Sequence, residues 1–583
     1  YWLDQSGNNN DWTSVALTES DIMLDNPSNN FATMNPLVSG GGDLTLAEGN
    51  LEVSGFGSSR QRHSTMMASS GKWYAEFLCT ATMSDVQIGI ANDAGTGYLG
   101  SDANSWGMIS FNGNKIHNGS QTGFGNSYTT GDIVMVAIDM DNGKWYIGEN
   151  NSWHGSGNPA GNSGEVYDGL SGTIGFAVGS NATTGNVIAN FGQDSSFAGN
   201  KTAQGNQDSN DIGDFYYTPP SGYLALCTSN MPVVAANPQE NFKTVIYTGT
   251  GSARTISGVG FQPDLNWTKP RNNSGSNVLT DSVRGVTKFL ESNSTGVEQT
   301  GSTGVTAFNS DGYTLGTGND WNVDVDTFVS WNWNAGPGST VTNTAGTEDT
   351  QIRANVAAGF SIVKWTNDGN ETGTRGHGLS QAPEMIITKI ISGYVGGWGV
   401  YHKDVGNDKA LRLDGNQAEF NSTQWNSTTP TSTVFSVGAP GGYADDSYNN
   451  PIIAYCFHSV EGYCKVGQYL GNGAAGTANE VNGTFVYTGF KPAWILVRRT
   501  DAGTADWFIF DNVRNAFNIT TKFLNSNTTD AEDTEDTSGY EIEVDFVSNG
   551  FKWKGPAGSV NSNGNDFVYL AMAETPFKYA NAS

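Results

Sequence analysis

Apolar and polar residues alternate along this chain in short runs, and glycine- and asparagine-rich stretches separate the runs. A period of two over five to nine positions is the pattern of a strand with one buried face. Between Leu44 and Phe197 the runs are KWYAEFLCT (72–80), VQIGIA (86–91), WGMISFN (106–112), IVMVAIDMD (133–141), KWYIGEN (144–150), GTIGFAVGS (172–180) and VIANFG (187–192). Seven such strands at regular spacing predict a two-sheet sandwich. The double proline and aromatic run of DFYYTPPSGYLALCTSNMP (214–232) predict a strap that closes this domain and leads into the next.

Beyond residue 240 one phrase recurs. GVGFQPDLNWTKPR (258–271) returns as YTGFKPAWILVRR (487–499), with a looser copy, GHGLSQAPEMIITKI, at 376–390. Each is a glycine turn, a proline, and an alternating run that meets a basic residue. Three copies of the phrase imply three copies of one module, at about 240–342, 343–462 and 463–583. Each module opens on an aromatic strand: FKTVIYTGTG (242–251), GFSIVKWTNDG (359–369) or YCKVGQYLGNG (463–473). The middle sections DSVRGVTKFLESNST (281–295), YHKDVGNDKALRLDG (401–415) and DNVRNAFNITTKFLNSNTT (511–529) share one slot. A strand of the form FNSDGYTLG (308–316), VFSVG (434–438) or FVSNGFKWK (546–554) precedes a closing strand at 327–336, 451–462 or 567–577. Five or so strands per module predict a small β-sandwich or jelly roll, with helix limited to a short turn in each middle section. The fold class is therefore all-β, a multidomain chain of sandwiches.

Composition changes the picture in two ways. Low hydropathy alone would suit disorder, but 16 Trp, 22 Tyr and 28 Phe require packed cores. A net charge of −29, from 57 acidic and 28 basic residues, repels nucleic acid and anionic membranes, and no basic patch interleaves with aromatics. No apolar run has membrane-spanning length, and no signal peptide is recognisable. The chain starts at Tyr1, in mid-phrase, so an upstream portion is expected to be missing.

Candidate chemistry is sparse. Asp281/Arg284 and Asp511/Arg514 repeat as Asp-x-Val-Arg. They read either as a carboxylate or phosphate clamp or, better for a repeated feature, as an ion pair that fixes a turn. DAEDTEDT (530–537) reads as a solvated loop rather than a catalytic carboxylate pair, which needs burial to separate its pKa values. The six histidines form no Ser/His/Asp or H-E-x-x-H pattern, and Cys456, His458 and Cys464 lack zinc spacing. Asp139, Asp141, Asn142 and Gly143 open like a calcium loop, but position 150 is Asn, so a type I′ hairpin turn at Asn142-Gly143 is expected. No catalytic residue, metal site or cofactor is assigned. The candidate ligand-binding residues are Tyr98, Trp106, Trp153 and Tyr167, in or beside the loops 92–106 and 150–170. Aromatic faces flanked by Asn and Asp suit stacking on sugar rings, whereas the plainer reading has the tryptophans capping the core.

The order GKWYAE, QIGIA, GDIVMVAIDMDNGKWYIGEN, GTIGFAVG resembles the SPRY domain, a concanavalin-like sandwich that binds partners through loops at one end. The whole order of parts resembles tail-fibre-type virion proteins of tailed, particularly marine, bacteriophages. By that resemblance residues 1–30, beginning YWLDQSGNNNDW, are the remnant of an upstream LamG-like domain plus linker. Residues 31–239 are the SPRY-like sandwich and strap, and the repeats span 240–342, 343–462 and 463–583. The resemblance implies a structural and adhesive virion protein, extracellular on tail or capsid, binding other virion proteins and a host-surface glycan or protein. It implies no enzyme, no cofactor, no nucleic acid, no membrane insertion, and a homo-oligomer, commonly a trimer in such fibres. The alternatives are a polysaccharide depolymerase or a purely structural decoration fibre.

Overall fold

The computed structural model describes residues 24–25, 29–37, 44–57, 59–81, 83–181, 184–231, 236–367, 372–438, 450–474, 483–501, 505–533 and 542–573. Most of the expected remnant at 1–30 and the end of the acidic run at 530–537 lie outside these residues. The chain is nearly all β and forms two compact units, divided between Pro232 and Val233.

The first unit is a sandwich. One sheet runs in the order Thr45–Ala47, Glu52–Ser54, Val187–Asn190, Lys72–Cys79, Ile133–Asp139, Lys144–Glu149, Ser152–Trp153. The other runs Arg60–His63, Gly175–Ser180, Val86–Ala91, Ser105–Ile109, Asn114–His117, Ser120–Gly123. Alternation along Lys72–Cys79 sends Trp73, Ala75 and Phe77 into the core between the sheets. Its other face is buried as well, because the strap lies on it. Leu224–Ala225 runs parallel to Trp73–Tyr74, and Phe215 and Tyr223 pack on Tyr74. Glu76, on that face, accepts hydrogen bonds from Tyr216 N (2.8 Å), Tyr217 N (2.7 Å), the Tyr74 hydroxyl (3.0 Å) and Asn190 Nδ2 (3.3 Å). The strap is thus latched onto a buried carboxyl group.

The central hairpin forms as expected, but its turn does not. Asp139 pairs with Lys144, leaving four connecting residues, and only Gly143 among them has positive φ (64°). The Asp139 carboxylate accepts from Asn142 N (3.1 Å) and Nδ2 (2.9 Å) and pairs with Lys72 at 3.0 Å. That side-chain cap favours a longer connection over the two-residue type I′ turn, which needs both central residues left-handed.

In the second unit each repeat has a large sheet with the same strand order: opening, closing, phrase, then the two strands of the middle section. For the first repeat these are Phe242–Thr248, Thr327–Trp333, Leu265–Pro270, Val278–Asp281 and Lys288–Glu291. For the third they are Cys464–Leu470, Asp566–Ala573, Pro492–Arg499, Phe508–Asp511 and Leu524–Asn525. Smaller sheets, such as Arg254–Ser257 with Gly312–Leu315 and Val305–Asn309, cover one face of each. Gly312–Leu315 lies in the expected strand 308–316, whereas Arg254–Ser257 is among those that take the repeat beyond the five expected. The two four-residue helices, Pro238–Asn241 and Asn319–Asn322, lie outside the middle sections.

The other faces of the large sheets meet in one core. Trp267, Trp331 and Trp333 of the first repeat, Tyr455 and Phe457 of the second, and Trp494 and Leu570 of the third share it. Trp333 stands edge-on to Trp494 at 5.5 Å and to Phe457 at 6.4 Å. The void left where the sheets converge is about 10 Å³, at most the space of one water.

Polar contacts between repeats obey a rotation. The basic residue at the same place in each phrase reaches a neighbour's carbonyl. Lys269 donates to Thr528 O of the third repeat (3.3 Å), Lys389 to Thr295 O of the first (2.9 Å) and Arg498 to Gly415 O of the second (2.8 Å). A second set, Asn277 to Asn525 O (3.0 Å), Trp398 to Glu291 O (2.8 Å) and Trp507 to Arg412 O (2.7 Å), follows the same direction. The contacts close a ring, the heterologous scheme of a cyclic trimer written into one chain.

Candidate functional site

The strand Ser105–Ile109 pairs with Asn114–His117 so that Trp106 faces His117 across the register. The two rings stack at 4.7 Å and 5°. The bridge of Tyr167 to Trp145 brings a second ring from the 150–170 loop, 5.6 Å from His117. Lys115, two residues before His117 and on the same strand face, places its ammonium 4.5 Å from the Tyr167 ring and 5.2 Å from Phe124. Its Nζ donates to Val166 O at 2.7 Å, which fixes the cation between the rings. The His117 Nδ1–H donates to Ser105 O at 2.9 Å, so in the neutral ring Nε2 is the acceptor. Trp106, Lys115, His117, Phe124 and Tyr167 are all partly exposed, and Phe111 on the adjoining turn is 58% exposed. A flat, rigid platform with one cation suits stacking against an apolar ring face or an aromatic side chain.

Of the four residues expected from sequence, the structure brings Trp106 and Tyr167 together. Trp153 packs edge-on to Tyr74 at 6.4 Å, in the cluster under the strap. Tyr98 sits in the loop that Asp102 ties by accepting from Thr96 N (2.6 Å) and Ser105 Oγ (2.8 Å). Sequence reading missed Lys115 and His117. The signal was there in the run NKIH, whose alternation puts both on one strand face, the face Trp106 shares once the strands pair.

The repeated Asp-x-Val-Arg pairs are fully buried. Arg284 Nε meets Asp281 at 2.5 Å, Nη1 meets Glu298 at 3.2 Å, and Nη2 donates to Leu279 O at 2.8 Å. Arg514 does the same with Asp511 (2.6 Å), Glu532 (3.2 Å) and Ile509 O (2.9 Å). Their donors are used internally, which is the turn-fixing reading. Glu532, expected in a solvated loop, has a side chain only 8% exposed and also takes a two-pronged pair from Arg271. Two arginines converging on it outweigh the cost of removing it from water. Among the described residues no three His, Cys, Asp or Glu side chains group as metal ligands.

A family model described as "Domain of unknown function (DUF7483)" matches residues 237–576, more than half of the sequence. The chain belongs to this family. Its DUF7483 region thus coincides with the ring of three repeats, and a SPRY domain model matches residues 72–161, within the first unit. Among solved structures, the SPRY domain of human HERC1 is similar at 16% identity, covering 27% of this chain and 96% of that one, with a TM-score of 0.24. Stonustoxin is similar at 18% identity, covering 31% of this chain and 30% of its own length, with a TM-score of 0.22. The TRIM65 PSpry domain is similar at 14% identity, covering 27% of this chain and 92% of that one, with a TM-score of 0.21. No curated protein sequence matches.

Proposed function

We propose that this DUF7483 protein is a non-enzymatic recognition protein, an adhesive fibre component of a tailed-phage virion that binds a host-surface glycan or protein through its SPRY domain. The observation that carries this reading is the platform of Trp106, His117 and Tyr167 with Lys115 held between rings. Such a surface binds by stacking. The DUF7483 ring serves as the rigid support and faces other virion proteins. It supplies within one chain the threefold scheme that such fibres otherwise assemble from three.

The test is adsorption blocking. Purified chain added to host cells is expected to slow phage adsorption, and the Trp106→Ala/Tyr167→Ala double variant is expected to lose the effect at least tenfold. Equal blocking by the folded double variant rules the platform out. Release of new reducing ends from host polysaccharide by the wild-type chain rules out the non-enzymatic role.

A further inference from the structure

The second repeat carries an open cleft beside the last strands of its large sheet. Phe420–Asn421 pairs with Lys409–Arg412, and beyond the pair Ser422 N donates to Asp408 O at 2.8 Å. Asp408, Phe420, Asn421, Ser422, Thr423 and Ser427 line an open cleft of about 460 Å³. That lies within the range of small-molecule sites, roughly 300–1,000 Å³.

The loop forming its wall is anchored from beneath. Trp425 is buried edge-on to Tyr401 at 5.5 Å, and buried Gln424 donates from Nε2 to Thr388 Oγ1 at 3.0 Å. Asn426 N donates to Thr423 O and Gly438 N to Gln424 O, both at 2.9 Å. These ties hold Asn426 and Ser427 in the left-handed region, at φ 49° and 43°. A wall fixed in this way loses little freedom when a ligand arrives.

The corresponding positions in the first repeat have other chemistry. There Gly301 N donates to Thr287 O at 2.8 Å, so Thr287 stands where Asp408 does, Gly301 where Ser422 does, and Gln299 where Phe420 does. In the third repeat the bridge Phe523 to Asp533 puts Asp533 in the place of Phe420. Among the described residues, the second repeat combines here an aromatic ring, a carboxylate, an amide and three hydroxyls. Neighbouring Lys409 is paired with Glu419, so the cleft's remaining charge is the single negative of Asp408. An anionic ligand is disfavoured there. A ligand with hydroxyl donors for the carboxylate, acceptors for the amide and hydroxyls, and an apolar face for Phe420 is favoured.

We propose that this cleft binds the ring of a neutral sugar. The assignment rests on the recognition role proposed above for the chain, but it uses none of the first unit's residues. The test is saturation-transfer NMR on the full chain with four probes: glucose, galactose, mannose and N-acetylglucosamine. Transfer to at least one is expected. Made in the Trp106→Ala/Tyr167→Ala background, so that the SPRY platform contributes no transfer, Asp408→Asn and Phe420→Ala are each expected to weaken it at least tenfold. Asp408 lies at the surface, so its variant keeps the fold, and circular dichroism checks both. Absence of transfer to all four sugars overturns the proposal. So does transfer that survives both cleft substitutions in that background, or that is already lost with Trp106→Ala/Tyr167→Ala alone, the last outcome leaving the SPRY platform standing alone.

Discussion

Glu76 shows what burial does to one carboxyl group. Desolvation raises its pKa from 4.5 to about 7 against the pull of four hydrogen-bond donors. The folded state therefore holds a proton that the unfolded chain has released, and stability falls as pH rises through 7. Between pH 6.5 and 8 this should cost the first unit about 1 kcal/mol, one pKa unit being ~1.4 kcal/mol. Below pH 6.5 buried His63 acts in the opposite sense. Its pKa is lowered to about 4, so the unfolded state binds the extra proton and stability rises with pH up to 6.5. Urea midpoints of the first unit at pH 6.5 and 8 should differ in wild type and converge in Glu76→Gln. An unchanged slope in the variant would remove Glu76 as the source. At this scale residue types are legible from the sequence and partners are not. Asp281 and Arg284 are legible as a pair from their spacing. That the Tyr455 hydroxyl of another repeat donates to Asp281 at 2.8 Å is not, because 174 residues separate them.

At the scale of elements the period-two runs located the long strands, since alternation is a local property. Strands of three or four residues, such as Phe485–Tyr487 and Val341–Asn343, carry too little pattern to register before pairing. The platform failed to emerge for a related reason: it depends on which residue of Asn114–His117 lies opposite Trp106, and register is set by the turn between. The phrase strands carry a stronger consequence. Arg498 is buried at the place where the other repeats use lysine, and burial lowers its pKa to about 10, as it lowers Lys269 and Lys389 to about 8. Such desolvation is tolerated because each head group meets carbonyls, Gly415 O and Gln417 O in the case of Arg498. Arg498→Met removes those donors and should destabilise the DUF7483 region by about 2–4 kcal/mol, the cost of leaving buried acceptors unpaired. Arg498→Lys should recover more than half of that in a urea melt, since lysine performs the same task in two repeats. Equal losses for both variants would mean that the guanidinium's packing over Trp507, 5.6 Å away, matters more than its donors.

For the molecule as a whole, the repetition of the phrase reveals three modules but not that they share a core. Each large sheet presents two apolar faces, and a single repeat can cover only one with its own small sheet. An isolated first repeat would expose Trp267, Trp331 and Trp333 together, an apolar area that water penalises by roughly 25 cal/mol per Å². The three repeats should therefore unfold as one cooperative unit rather than as beads. Hydrogen exchange read peptide by peptide across a urea series should show Phe328–Trp333, Ile452–Phe457 and Val568–Met572 losing protection at one common midpoint. The fragment 237–342 alone should lack that protection and aggregate. Three separated midpoints, or a soluble and protected fragment, would show that each sandwich stands by itself. In that case the ring of contacts from Lys269, Lys389 and Arg498 would join the repeats without holding them up.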